Sequence, residues 1–136
     1  EWLEKFTNLT LLKNKPEIVI SGTSKETIVN ANNYADAHLS MYSSYKDGLK
    51  DLIKTNKKIV SGPIIIRDTK EEAEDIYNQL PNNMIKGSCL FGTENEIIEQ
   101  IKNMGKEGIT DILASRAQMD DEHYRIHRMV KKINDI

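Results

Sequence analysis

The residues best placed by type and spacing to do chemistry are Ser21-Gly22-Thr23-Ser24, and the chemistry they suit is anion binding. Gly22 allows a positive φ or a close approach of ligand to backbone. Thr23 or Ser24 can cap a following helix whose fourth position carries Glu26 or Thr27. Such a helix start turns free N–H groups and the positive end of the helix dipole toward the mouth of the turn, where a phosphate would bind. The same pattern also serves as a plain capped turn, and one glycine is much less specific than a full glycine-rich fingerprint.

Other reactive side chains are few. His123 and His127 stand four apart in a helical stretch, but no third metal ligand lies near, so they read as solvated helix histidines and the metal assignment is none. Cys89 reads as a small buried apolar residue, and no neighbouring pattern marks it as a reactive thiolate. His38 falls in a strand and is expected to pack. No catalytic triad is visible, so any catalytic residue stays unassigned.

The bulk properties exclude several classes. A chain of 136 residues is one domain's worth, 1–136, with room for a real core. Nineteen basic residues against twenty-one acidic ones leave a net charge of -2, which argues against a nucleic-acid or membrane-surface partner. A single cysteine makes no internal disulfide, and no apolar run reaches the length of a membrane span, so the expected compartment is the cytoplasm. The chain opens on Glu1, which suggests a piece of something longer.

Four strands must position the turn. Ile18-Val19-Ile20 is a continuous β-branched run, as in a strand buried on both faces. Ile28, Ala31, Tyr34 and Ala35 then mark an amphipathic helix of about ten residues. Ala37–Met41 is a second strand, Tyr42–Tyr45 a loop, and Lys46–Asn56 a helix with Leu49, Leu52 and Ile53 on its apolar stripe. Lys57–Arg67 is a third strand interrupted at Gly62-Pro63. Asp68 or Thr69 caps the next helix, which Leu80-Pro81 stops. Ser88–Phe91 is a short apolar segment. Thr93 and Glu96 form a capping box for a helix closed by Gly105 or Gly108, and Ile109–Ala114 is the fourth strand. A last helix spans Asp120–Ile136, with Tyr124, Ile126, Ile133 and Met129 or Val130 for burial, while Trp2–Leu12 is a short helix or arm. This alternation predicts an α/β fold of parallel βα units.

Three segments, in order, carry a resemblance. Pro16-Glu-Ile-Val-Ile-Ser-Gly-Thr-Ser24 with Asn33-Tyr-Ala-Asp-Ala37, then Pro63-Ile-Ile-Ile-Arg-Asp-Thr-Lys-Glu-Glu-Ala73, then Phe91-Gly-Thr-Glu-Asn-Glu-Ile-Ile98 running into Gly108-Ile-Thr-Asp-Ile-Leu113, together resemble the carboxyl-terminal half of the luciferase-like flavin-dependent monooxygenases. Ala37 replaces a glycine usual in that family, and the amino-terminal half is missing. The resemblance implies half of a (β/α)8 TIM barrel, strands five to eight. It implies a flavoprotein in which Ser21, Gly22, Thr23 and Ser24 hold the phosphate of reduced FMN, the deazaflavin F420 standing second, and in which Met41 and Tyr42 face the flavin or substrate. The cofactor would carry the hard chemistry.

Two functions follow. In the first, the parent protein is an oxidoreductase acting on a small-molecule substrate, and this chain is inactive without its missing N-terminal half. In the second, the chain is a non-catalytic flavin-binding or assembly module that pairs with another chain. Either way the outer edges of its first and last strands are open rows of backbone groups. They are expected to be covered by Trp2–Leu12 and the last helix, or paired with a second copy.

Overall fold

The structure, a computed structural model, describes residues 16–116 and 122–134. Five strands, β1 (Val19–Ser21), β2 (Ala37–Met41), β3 (Lys57–Ile66), β4 (Leu90–Gly92) and β5 (Asp111–Arg116), form one sheet in which every pairing is parallel. Among them run α1 (Lys25–Tyr34), a helical stretch α2 made of Tyr42–Ser44, a wide π-turn Tyr45–Leu49 and Lys50–Leu52, then α3 (Lys70–Gln79), α4 (Met84–Gly87), α5 (Glu94–Lys106) and α6 (Glu122–Asn134). The fold is thus α/β with parallel βα units, as the alternation predicts. The segment 1–15, with Trp2–Leu12, lies outside the described residues, as do Asp120 and Ile136.

β3 is the axis of the sheet. It does not break at Gly62-Pro63; it changes neighbours there. Residues Lys57–Ser61 pair with β2, and Ile64–Ile66 pair with β4. Ile59–Ile64 pair with β5 along the other edge, since Ile59 and Ile64 each have a partner on both sides. β2 and β4 therefore lie end to end on one side of β3. Gly62 sits at their junction, where a Cβ would come 2.2 Å from the Ser88 carbonyl oxygen, so only glycine fits. A proline is tolerated beside such a break in the ladder.

This order decides which face each helix covers. The steps β1 to β2, β2 to β3 and β4 to β5 cross the sheet in one direction, whereas β3 to β4 crosses back. Right-handed crossovers then put α3 on the face opposite to the other helices. The packing agrees. On the helix-rich face, Val60, Ile64, Ile66 and Leu90 meet Tyr45 from α2, Ile97 and Met104 from α5, and Met129 from α6. On the other face, Ile65 and Phe91 meet Ala73, Ile76 and Tyr77 of α3, with the Tyr77 and Phe91 rings stacked 4.1 Å apart. β4, three residues long, replaces the unassigned apolar segment, so the sheet has five strands rather than four.

Local signals account for most boundaries. Ser24 caps α1, Thr69 caps α3, and the Thr93–Glu96 capping box opens α5. Gly108, at φ 93°, follows the end of α5, while Gly105 lies inside it. The expected loop at Tyr42–Tyr45 is helical instead. Gly48, at φ 146°, then breaks the regular spacing, and helical structure ends at Leu52 rather than Asn56. In α6, Met129 is buried, but Tyr124 is 67% exposed and takes no part in the core. Among the described residues no helix is long and apolar enough to cross a membrane.

Candidate functional site: the turn after the first strand

The turn forms at the carboxyl edge of β1. Ser21 is the last strand residue, Gly22 adopts φ 131°, and Ser24 is the N-cap of α1. A Cβ on Gly22 would lie 3.0 Å from Thr27 Cγ2, on top of a positive φ that side chains avoid. Of the alternatives left by the sequence, Ser24 caps rather than Thr23. Its Oγ accepts from the Thr27 backbone N–H at 3.1 Å and lies 2.7 Å from the Thr27 hydroxyl. The Ser24 hydroxyl is thereby committed to the helix.

What remains for a ligand is backbone. The N–H groups of Thr23, Ser24, Lys25 and Glu26 have no hydrogen-bond partner among the described residues. Their side chains are exposed, and Lys25 and Glu26 offset each other in charge. Successive free N–H groups at a helix start make an anion-binding concavity.

The register shows what shares the turn's face. Ser21 pairs with Leu39, and Met41 lies two residues further along β2, so Ser21, Leu39 and Met41 point to one side, together with Ile59 and Ser61 of β3. This is the sheet face that α3 covers only at its upper end. Leu39, Met41 and Ile59 are part-buried there, and Val19 and Leu113 are 48% and 56% exposed. The chain thus places the predicted residues Ser21, Gly22, Thr23, Ser24 and Met41 around one edge of an open, largely apolar surface. Tyr42 is a correction. It packs on the opposite, helix-rich face, with Lys46 Nζ 4.5 Å from its ring centroid. Burial, with a smaller contribution from Glu107, pushes its hydroxyl pKa up, so it stays protonated.

Beneath the turn stands a residue whose part the sequence did not disclose. His38 is 1% exposed, on the helix-rich face of β2, and its Nε2 lies 2.7 Å from the Gly22 carbonyl oxygen. A carbonyl only accepts, so Nε2 carries the hydrogen. The available signal was a polar residue in the middle of a buried strand, which needs a partner.

A cavity of about 260 Å3 opens elsewhere, where β3 ends, lined by Arg67, Asp68, Glu94, Arg125, Arg128 and Lys132 among others. Glu94 is ion-paired with Arg128 at 3.3 Å and with Lys132, and Arg125 pairs with Asp68 at 3.1 Å. The Lys132 hydrogen bond is the chief reason that the Glu94 carboxyl is held below the usual carboxylate range. The network ties α6 to the start of α5. Arg125, Arg128 and Lys132 form a visible stripe in the sequence, but their acidic partners lie far away along the chain. His127 is exposed, and no group of metal-binding side chains occurs among the described residues. Cys89 is part-buried beside the Ile65 cluster.

No protein-family model matches the chain, and no curated sequence does. Solved structures do share its fold. It is similar to flavoprotein 390, with a TM-score of 0.59 and 13% identity over 88% of this chain and 68% of that one. It is also similar to apo-MsnO8, with a TM-score of 0.59 and 11% identity over 93% of this chain and 53% of that one. The chain therefore spans about half of the second protein's length, and at these identities the likeness is one of fold.

Proposed function

We propose that this chain is the flavin-phosphate-binding half of a luciferase-like flavin-dependent monooxygenase, corresponding to strands five to eight of a (β/α)8 barrel. The observation that carries the reading is the turn Gly22–Glu26, where four N–H groups without a partner among the described residues stand at the carboxyl edge of a parallel sheet. That is the edge at which barrel enzymes bind their ligands. The consecutive side-by-side order β1, β2, β3, β5 supports the half-barrel. The similarity to a protein named as a flavoprotein supports the choice of cofactor. FMN fits the turn through its phosphate, held by backbone N–H groups and the Thr23 hydroxyl; F420, which also carries phosphate, stands second.

The missing amino-terminal half, or a second copy, would cover the face that carries Val19, Leu39, Met41, Ile59 and Leu113 and pair with the outer edges of β1 and β5. The flavin supplies the redox chemistry when bound. The residues of this chain bind its phosphate and exclude water along the apolar face. We place this protein in the cytoplasm.

Fluorescence titration of the chain with FMN and with riboflavin tests the phosphate site: FMN is expected to bind at least tenfold more tightly, as one set of charge-assisted hydrogen bonds implies. Equal affinities sink the proposal. NAD(P)H-linked oxidation, assayed with and without an added amino-terminal half, then separates an enzyme from a non-catalytic flavin-binding module, which would bind flavin without turnover in both mixtures.

A further inference from the structure

We infer that His38 is the positioning residue of the flavin-phosphate turn: its buried Nε2–H holds the Gly22 carbonyl inward, so that the Thr23 N–H is presented outward to the phosphate. This rests on the phosphate reading of the turn. The argument is stereochemical. The Gly22–Thr23 peptide is trans, as no cis bond occurs among the described residues, so its C=O and N–H point in opposite directions. The carbonyl is held 2.7 Å from a ring that is 1% exposed and lies under the sheet. The Thr23 N–H therefore points away from the protein, and it has no partner among the described residues.

Gly22 gives the peptide the freedom to turn either way at φ 131°, and His38 selects one orientation. Without that bond, the carbonyl can rotate outward and present an acceptor to the phosphate, which repels it. A histidine at this point of a strand has no packing advantage over leucine. A buried imidazole needs a hydrogen-bond partner to offset desolvation, and here the partner is the turn itself.

The experiment uses the full chain with His38→Leu, which removes the donor, and His38→Gln, whose amide can replace it. In the wild type, nitrogen-15 NMR of the imidazole is expected to show the Nε2–H tautomer. On addition of inorganic phosphate, the Thr23 amide resonance should shift. His38→Leu is expected to weaken FMN binding about tenfold while leaving riboflavin affinity unchanged, and His38→Gln to recover most of the loss. A fold defect alone would weaken both ligands equally. A folded His38→Leu chain that keeps the wild-type ratio of FMN to riboflavin affinity overturns the role of His38 and leaves the phosphate site standing. Equal FMN and riboflavin affinity in the wild type removes the site and the inference together. Should His38→Leu fail to fold, an Nδ1–H tautomer in the wild type overturns the inference.

Discussion

Two helix starts in this molecule are built on one plan and finished differently. Before α1, β1 runs into Gly22 at φ 131° and a cap at Ser24; before α5, β4 runs into Gly92 at φ 148° and a cap at Thr93. At α5 the third helical position is Glu96. Its Oε2 accepts from the Thr93 N–H at 2.8 Å and from the Thr93 hydroxyl at 3.2 Å, and those bonds hold its carboxyl below the usual range. Glu94, beside it, is occupied by Arg128 and Lys132. At α1 the same position is Thr27, which is neutral, and the cap is a pair of hydroxyls. One start carries its own anion. The other leaves its N–H groups without a partner among the described residues, and the proposed phosphate site rests on this contrast.

The contrast can be broken at either end. The largest effect is expected from Gly92→Ala, whose Cβ would lie 2.7 Å from Glu96 Oε2 at a φ that alanine avoids. It combines backbone strain with loss of the capping box, at a cost of about 2–4 kcal/mol in urea unfolding. Gly22→Ala meets only the end of the Thr27 side chain, so it should cost about 1–2 kcal/mol. Equal losses would show that the two turns are not built differently. Thr27→Glu gives α1 the acid that α5 already has. It should raise helix stability by about 0.5 kcal/mol and weaken FMN binding about tenfold, with riboflavin unaffected. An unchanged FMN affinity in titration would mean that the α1 start is as closed as that of α5.

How much of this was legible depended on whether the deciding contact was local. The turn, the caps at Thr69 and Thr93, and the strands at Ala37–Met41 and Lys57–Ile66 are written in residue types within a few positions of one another. β4 was not, because three residues, Leu90-Phe91-Gly92, are too short for a period. The side taken by α3 was not, because it depends on β4 returning to the same flank of β3 as β2, which no local pattern encodes. At the site, Gly22 was legible from its own requirement for freedom. His38 was not, because its partner lies 16 positions back, across a strand pairing.

The smallest expected effects refine the comparison at its structural end. Thr93→Ala should cost about 1 kcal/mol and Ser24→Ala somewhat less, since only the former also takes a hydroxyl donor from a carboxylate, that of Glu96. Glu94 provides a pH signature. Its folded pKa is depressed, chiefly by the hydrogen bond from Lys132, so its stabilisation is present above the ordinary carboxylate value and fades as pH falls through the lowered one. Although the Glu94 side chain is only 13% exposed, the partners Arg128 and Lys132 are 49% and 60% exposed, which screens the pairs and limits their contribution to about 1 kcal/mol. Urea midpoints of the wild type and Glu94→Gln should therefore differ at pH 7 and converge as the pH falls below the ordinary carboxylate range through the lowered Glu94 value. Curves that stay parallel down to acid pH would show that the charge on Glu94 does not tie α6 to α5.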